Sequence, residues 1–372
     1  MKILIISGEI SGDIYGAALA EELLKCKSSV KIYGIGGEKL KAIAHCFLFD
    51  IATSHAIGLT ERFNKRKFYS RFYKTLEEFL EKNRLDKVVL IDFQHHNFKL
   101  AQILRRYSIP IITFITPNFW IWNDLRGVRG VVQYSHKIIT IYKKEYELYS
   151  RFYPSVYYFG HPILDLYNKQ KEERQKPKGN KQVISLFPGS RIQEINSLLP
   201  KMLETVKILN EKEKTKYLFY LKVSSSKFMP LIVKHLKEAK ASFVRIWDQG
   251  QGNIYTYSDL ILSSAGSVTL EAVLNDVPLI VMGALSKLTY FVAKYILKIS
   301  PKFIALPNIV ADKEIVPEYI QDSIIPVNMA DKAEELLEPD KRDSMLAQYQ
   351  TVKDELYEVD HPFKRICETI LE

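Results

Sequence analysis

Of the 372 residues, 47% are hydrophobic and 26% charged, and 53 Lys and Arg against 43 Asp and Glu leave a net charge of +10. This composition excludes a disordered or low-complexity chain and allows two globular domains of about 100–200 residues each. The positive excess calls for an anionic partner, whether nucleic acid, anionic lipid or a phosphorylated substrate.

In chain order, the opening "MKILIISGEISGD" reaches an acidic residue too early for the apolar core of a secretory signal. No later run approaches the ~18 uninterrupted apolar residues of a spanning helix. The β-branched runs "KILIIS" from Lys2, "KVVLID" from Lys87, "PIITFI" from Pro110 and "KIITIY" from Lys137 predict buried strands, and the apolar spacing from Ile14 to Lys25 predicts a helix. Strands alternating with helices predict a parallel α/β sheet. The segment 168–182, "NKQKEERQKPKGNKQ", is charged and contains Pro177 and Gly179, as a linker would. A second series follows: "VISLF" from Val183, "YLFYLKV" from Tyr217, "FVRIW" from Phe243, "LILSS" from Leu260 and "PLIVMG" from Pro278. From Met345 the pattern is helical, with a break at His361–Pro362. The predicted architecture is α/β, with two Rossmann-like domains facing across a cleft. They span 1–167 and 183–344, joined by the linker 168–182. A helical tail, 345–372, is expected to pack back on the first domain. Cys26, Cys46 and Cys367 have neither metal nor redox spacing and are expected to be buried free thiols in a reducing cytoplasm.

Three strand–turn–helix junctions carry the chemistry. The first, "SGEISGD" from Ser7, places Glu9, Ser11 and Asp13 where a glycine turn usually cradles phosphate. Carboxylates repel phosphate, and these side chains suit the hydroxyls of a sugar instead. The second, "LFPGSRIQEI" from Leu186, is cationic. Gly189, Ser190, Arg191 and a helix N-terminus form an anion site that Glu194 can cap or orient. A structural turn with a surface arginine is the plain alternative. The third, "SSAGSVTLEA" from Ser263, brings Gly266 and Ser267 before a helix. Glu271, one turn in, can accept from the two hydroxyls of a ribose. A nucleotide diphosphate in the second domain and a hydroxyl-rich group against the first suggest a glycosyltransferase.

Taken in order, "GEISGD", "IGLTE", "PNFWIW", "FGHPILD", "FPGSRIQEI", "SSAGSVTLEA" and "LPNIVADKEIVPEYIQ" resemble the lipid-A-disaccharide synthase family nearly end to end. The resemblance implies an inverting glycosyltransferase of the GT-B fold. It would transfer diacylglucosamine from UDP-diacylglucosamine to the 6-hydroxyl of a phosphorylated glycolipid, diacylglucosamine 1-phosphate. UDP leaves, and no metal or redox cofactor is implied. By position, Arg191 and Glu194 belong to the diphosphate loop, Ser267 and Glu271 to the uridine-ribose site, and Asn308 to the donor-site motif. Glu9, Ser11, Gly12 and Asp13 belong to the loop at the reaction centre. Two positions depart from the family pattern. In "IDFQHHNF" from Ile91, Asp92 and Asn97 are kept, but His95 replaces an aspartate that is a candidate base. Histidine can also take the acceptor proton. Gly283 and Ala284 stand where the family tends to carry Tyr-Arg.

Two stretches mix cations with aromatic or aliphatic residues: "ERFNKRKFYSRFYKTLEEF" from Glu61 and "LSKLTYFVAKYILKISPKF" from Leu285. Each reads as a face lying on anionic lipid or as a core helix with a solvated basic face; for the first, nucleic acid is a further reading. The acyl-chain substrates favour lipid, so the expected location is the cytoplasm, peripheral on the inner face of the inner membrane, with no nucleic-acid partner. Trp120 and Trp122 are expected to pack near the cleft, His161 to orient the interdomain crossover, and His45, His55 and His136 to be structural. Other readings are a diverged paralogue with another acceptor, a UDP-N-acetylglucosamine epimerase of the same fold, and a non-catalytic lipid- or nucleic-acid-binding protein. A nicotinamide oxidoreductase is disfavoured, because Gly8, Gly12 and Gly16 recur at four-residue steps rather than as G-x-G-x-x-G. The sequence leaves homodimerisation open.

Overall fold

A computed structural model describes residues 1–51, 62–93, 96–121, 124–170, 181–247, 252–284 and 302–372. The chain divides into two compact units, Met1–Leu166 with Leu356–Glu372, and Tyr167–Glu355. Most of the predicted linker lies outside the described residues.

The first unit holds seven strands: β1 (Lys2–Ser7), β2 (Lys31–Gly36), β3 (Cys46–Asp50), β4 (Lys87–Ile91), β5 (Ile111–Phe114), β6 (Lys137–Thr140) and β7 (Val156–Tyr158). They pair in parallel in the order β3-β2-β1-β4-β5-β6-β7. Successive side chains of a strand point to opposite faces. Leu4, Ile6, Val88 and Leu90 accordingly enter one core, while Ile3, Ile5, Val89 and Ile91 enter the other. Both faces are covered, which is why these strands read as continuous apolar runs rather than alternating ones.

The second unit repeats the plan with β8 (Gln182–Phe187), β9 (Tyr217–Leu221), β10 (Val244–Ile246), β11 (Leu260–Ser264), β12 (Leu279–Gly283) and β13 (Glu318–Ile320). All pairs are parallel, in the order β10-β9-β8-β11-β12-β13. The α/β class and both sheets therefore stand as expected.

Strands β2, β3, β7 and β13 were not anticipated. β2 is interrupted by Gly34 and Gly36, β3 is largely half-exposed, and β7 and β13 are three residues long. The apolar runs of β3 and β7, CFLF and VYYF, are only four residues long. The first helix begins at Ile10, ahead of the expected Ile14.

The tail forms two helices, Pro339–Leu356 and Pro362–Leu371, separated where His361 takes a left-handed φ of 56° before Pro362. The first stays with the second unit: the Tyr349 hydroxyl donates to the Val277 carbonyl at 3.0 Å, and Lys353 pairs with Asp276 at 2.7 Å. The second helix inserts Phe363, Ile366, Cys367 and Ile370 into the first unit's core beside Leu19 and Leu23. Their spacing is that of one helical face. The cysteines are free, but only Cys367 is buried; Cys26 and Cys46 are exposed, because they lie at a helix end and on an edge strand.

Candidate active site

In an open parallel sheet, ligands bind beyond the carboxyl ends of the strands where the winding reverses. The sheet orders put that point between β1 and β4 in the first unit, and between β8 and β11 in the second. All three glycine junctions leave strands at these two points. The glycine pattern in the sequence and the strand order in the sheets thus mark the same places.

In the first unit, Gly8 and Phe93 bring the loops after β1 and β4 together. A Cβ on Gly8 would lie 1.9 Å from the Phe93 ring, so the contact requires glycine. Glu9 is the N-cap residue of the helix Ile10–Cys26 and is half-buried, as is Ser11. Asp13 is only 5% exposed and turns inward. Its carboxylate accepts from the backbone N–H groups of Gly37 at 2.7 Å, Lys39 at 2.9 Å and Leu40 at 3.2 Å. It thus closes the N-terminus of the short helix Glu38–Ile43 from a distant part of the chain. The structure gives this carboxylate a scaffold task.

Asp92 has a φ of 39°, and Ile115, across from it at the end of β5, a φ of 62°. The Asp92 N–H donates to the Ile115 carbonyl at 3.3 Å. A left-handed β-branched residue is strained by about 1–3 kcal/mol, and such outliers gather at working sites. His95 lies outside the described residues. Its neighbour His96 stacks on Tyr69 at 4.1 Å and Phe93 at 4.6 Å, with Nδ1 2.5 Å from the Tyr73 hydroxyl. Asn97 is fully buried.

Below this end of the sheet, the Glu145 carboxylate accepts from the Thr116 hydroxyl and the backbone N–H groups of Ile141 and Tyr142. Burial raises its pKa to about 7 despite those bonds. Burial lowers that of His161 to about 3. His161 Nδ1 accepts from the Ile163 N–H at 3.1 Å, and His45 and His136 use Nδ1 the same way, toward Ile32 and Ile111. These three histidines order backbone, while His55 and Trp122 lie outside the described residues. Trp120 packs on Tyr142, with ring centroids 5.1 Å apart.

In the second unit, Gly189 has a φ of 113°, and a Cβ there would meet Glu194 Oε2 at 2.3 Å. Glicine's lack of a side chain therefore lets Glu194 fold over the loop. Its Oε2 accepts from the Ser190 N–H at 3.1 Å, and its Oε1 pairs with Arg191 Nη1 at 3.2 Å. Arg191 remains 54% exposed at the N-terminus of the helix Ile192–Lys212. A guanidinium and a long helix's positive end thus share one open place. A Cβ on Gly266 would meet nothing within 4 Å, so the turn before Ser267 borders open space.

Glu271 Oε2 accepts from the Tyr255 hydroxyl at 2.7 Å and lies 4.0 Å from Lys222 Nζ. Burial and the Glu271 charge push the Tyr255 phenol well above its ordinary value, so it stays a proton donor. Sequence reasoning missed Tyr255 and Lys222. The one available signal was a lysine closing the otherwise apolar run "YLFYLKV".

Asn308 is fully buried, with its amide used on every side. It donates to the Val316 carbonyl and to Glu318, and accepts from the N–H groups of Ile315 and Val316, all at 2.7–2.9 Å. Four bonds exhaust a carboxamide. Asn308 orders the segment that carries Glu318, whose carboxylate in turn caps the helix Leu306–Ala311 at Ile304 and Ala305.

A model of the lipid-A-disaccharide synthetase family matches residues 3–365. The chain belongs to the lipid-A-disaccharide synthase family. It is 30% identical to the lipid-A-disaccharide synthase of Synechocystis sp. over 96% of this chain and 94% of that one. The synthase of Syntrophus aciditrophicus is 30% identical over 95% and 93%. Among solved structures, the UDP-GlcNAc 2-epimerase of Neisseria meningitidis aligns with a TM-score of 0.68 at 17% identity, covering 100% of both chains. The calicheamicin glycosyltransferase CalG4 gives 0.57 at 13%, covering 100% and 97%. At such identities these two share the fold alone. Family and fold together make the protein a GT-B glycosyltransferase.

Proposed function

We propose that the protein transfers 2,3-diacylglucosamine from its UDP derivative to the 6-hydroxyl of 2,3-diacylglucosamine 1-phosphate, forming a β(1→6) disaccharide and UDP in lipid A biosynthesis. The observation that carries this reading is the meeting of the glycine junctions at the two strand-order reversals, one acidic and one cationic, in a chain of this family.

In this reading the second unit holds the donor. Arg191 and the helix start behind it stabilise the charge that develops on the departing diphosphate. Ser267 and Glu271 hold the uridine ribose. Gly189, Ser190, Gly266 and Glu194 shape the loops, and Asn308 orders the segment that carries Glu318. The first unit presents the acceptor. His95, or Asp92 through water, takes the proton from the attacking hydroxyl, with Glu9 and Ser11 binding sugar hydroxyls and Asp13 bracing their loop. One displacement at the anomeric carbon inverts its configuration.

We assign a peripheral place on anionic lipid as well. Along the helix Arg62–Lys82, Phe72, Tyr73, Leu76 and Leu80 are buried, so the aromatic side is core, while Arg66, Lys67, Arg71 and Lys74 are exposed. Arg66, Lys74, Lys99 and Arg106 border a groove of ≈ 1000 Å³ that also contains Glu77. That balance suits phosphate-bearing headgroups, and the rings lining the groove, Tyr69, Tyr73 and His96, pack on one another and on Phe93 rather than standing free for bases. The second basic stretch falls almost entirely outside the described residues. No described helix is long and apolar enough to cross a membrane.

The deciding experiment incubates the protein with UDP-diacylglucosamine and diacylglucosamine 1-phosphate and weighs the lipid product. A tetraacyl disaccharide phosphate with equimolar UDP is expected. UDP release without disaccharide would point to another acceptor. Conversion of lipid-free UDP-N-acetylglucosamine to its 2-epimer would replace the reading.

A further inference from the structure

We propose that Lys222 is a positioning residue for the nucleoside end of the donor, acting through Glu271. The proposal rests on the reading of Glu271 as the ribose acceptor and adds to it the device that aims the carboxylate.

Lys222 follows β9, its N–H still paired with the Leu186 carbonyl at 3.0 Å, which sets it beside the cationic glycine loop. A lysine at a strand end usually extends into water, where it keeps its rotamer freedom. This one folds back. Its ammonium lies 4.9 Å from the centre of the Phe187 ring and 4.7 Å from that of Tyr255, two rings that meet edge to face. It donates to the Tyr255 hydroxyl at 3.4 Å and stands 4.0 Å from Glu271 Oε2. The phenol donates to that same oxygen.

The result is a carboxylate held at one oxygen by a phenol and an ammonium. Glu271 Oε1 takes no hydrogen bond among the described residues, and the side chain is 34% exposed. A carboxylate anchored at one oxygen and open at the other is ready to accept from a vicinal diol without first being ordered. The two aromatic faces and the phenol hold the ammonium in place.

Calorimetric binding of UDP and of 2′,3′-dideoxy-UDP to wild type, Lys222→Met, Lys222→Arg and Tyr255→Phe tests this. Methionine keeps the packing on both rings and removes only the charge. Wild type is expected to prefer UDP to the dideoxy compound. Lys222→Met should bind UDP about 10-fold or more weakly, as for loss of a charge-assisted contact. It should bind the dideoxy compound as wild type does. Tyr255→Phe should behave alike, and Lys222→Arg should restore most of the affinity. Equal losses on both ligands would overturn the proposal, since Lys222 would then act on the diphosphate. Unchanged UDP binding in Lys222→Met would overturn it too. If wild type fails to distinguish the two ligands, the ribose role of Glu271 falls first.

Discussion

Arg191 and Asp13 show how little a residue's type says about its task. Both sit in glycine junctions, yet the guanidinium is exposed at a helix start and the carboxylate is turned under a neighbouring helix. Arg191→Ala should weaken UDP binding by about 10–150-fold, the range for a charge-assisted contact, with the fold intact. Wild-type UDP affinity in that variant, measured by calorimetry, would remove Arg191 from the donor site. For His95 the expected signature is kinetic. A histidine base works only when neutral, so the rate should fall as pH drops through about 6.5. His95→Ala should remove that limb and slow transfer by about 10²–10⁴-fold, while His95→Asp retains activity. A near-normal rate in His95→Ala with an unshifted profile would move the proton acceptor to Asp92 or Glu9.

Glu145 gives a stability prediction of definite sign. Its pKa is raised to about 7 in the folded protein from an ordinary 4.5, so the folded state binds the proton more tightly. The contribution is fully present below the unfolded value and is lost as pH rises through the folded one. His161, lowered to about 3 from 6.5, has the opposite slope: stability is lost as pH falls from its unfolded value toward the folded one. The two partly cancel near pH 5–6. Glu145→Gln removes the first slope, so its stability relative to wild type should improve by about 3 kcal/mol between pH 4.5 and 7.5. Hydrogen exchange of the first unit's strands as a function of pH measures this, and a constant difference would show that Glu145 titrates normally.

At the scale of elements, the helix Pro362–Leu371 matters more than its ten residues suggest. It follows the whole second unit in the chain, yet its apolar face completes one core of the first. Burying Phe363, Ile366 and Ile370 contributes about 1.5–3 kcal/mol each, a sum comparable with the about 5–15 kcal/mol net stability of a domain. Truncation after Asp360 should therefore leave the first unit without a cooperative melt. A truncated protein that still unfolds at the wild-type temperature would show the helix to be dispensable. Elements also set which strands were readable beforehand. Central parallel strands are apolar along their length because both faces are covered. Edge strands such as β3, β7 and β13 need only one partner, and their apolar runs reach at most four residues.

For the whole molecule, the net charge of +10 and the exposed cations of the helix Arg62–Lys82 predict adsorption to anionic vesicles that weakens with salt. Between 0.1 and 1 M salt the screening length falls from about 10 to about 3 Å, so co-sedimentation should drop sharply. Salt-independent sedimentation would mean that apolar contact, not charge, holds the protein to lipid.

The sequence by itself determined the fold class, most of the central strands, the three glycine junctions and the family. Each of these is written in local order: apolar runs, a turn that only glycine allows, a motif of adjacent residues. Asp92 and the donor-loop residues were recognised for the same reason. The tertiary structure decided which polar groups face outward. Asp13 finds its partners at Gly37, Lys39 and Leu40, Asn308 at Ile315, Val316 and Glu318, and Glu271 at Tyr255 and Lys222. A carboxylate or amide shows its hydrogen-bonding capacity in its residue type. Whether a backbone N–H, a neighbouring side chain or a ligand uses that capacity depends on which distant segments the sheets bring beside it.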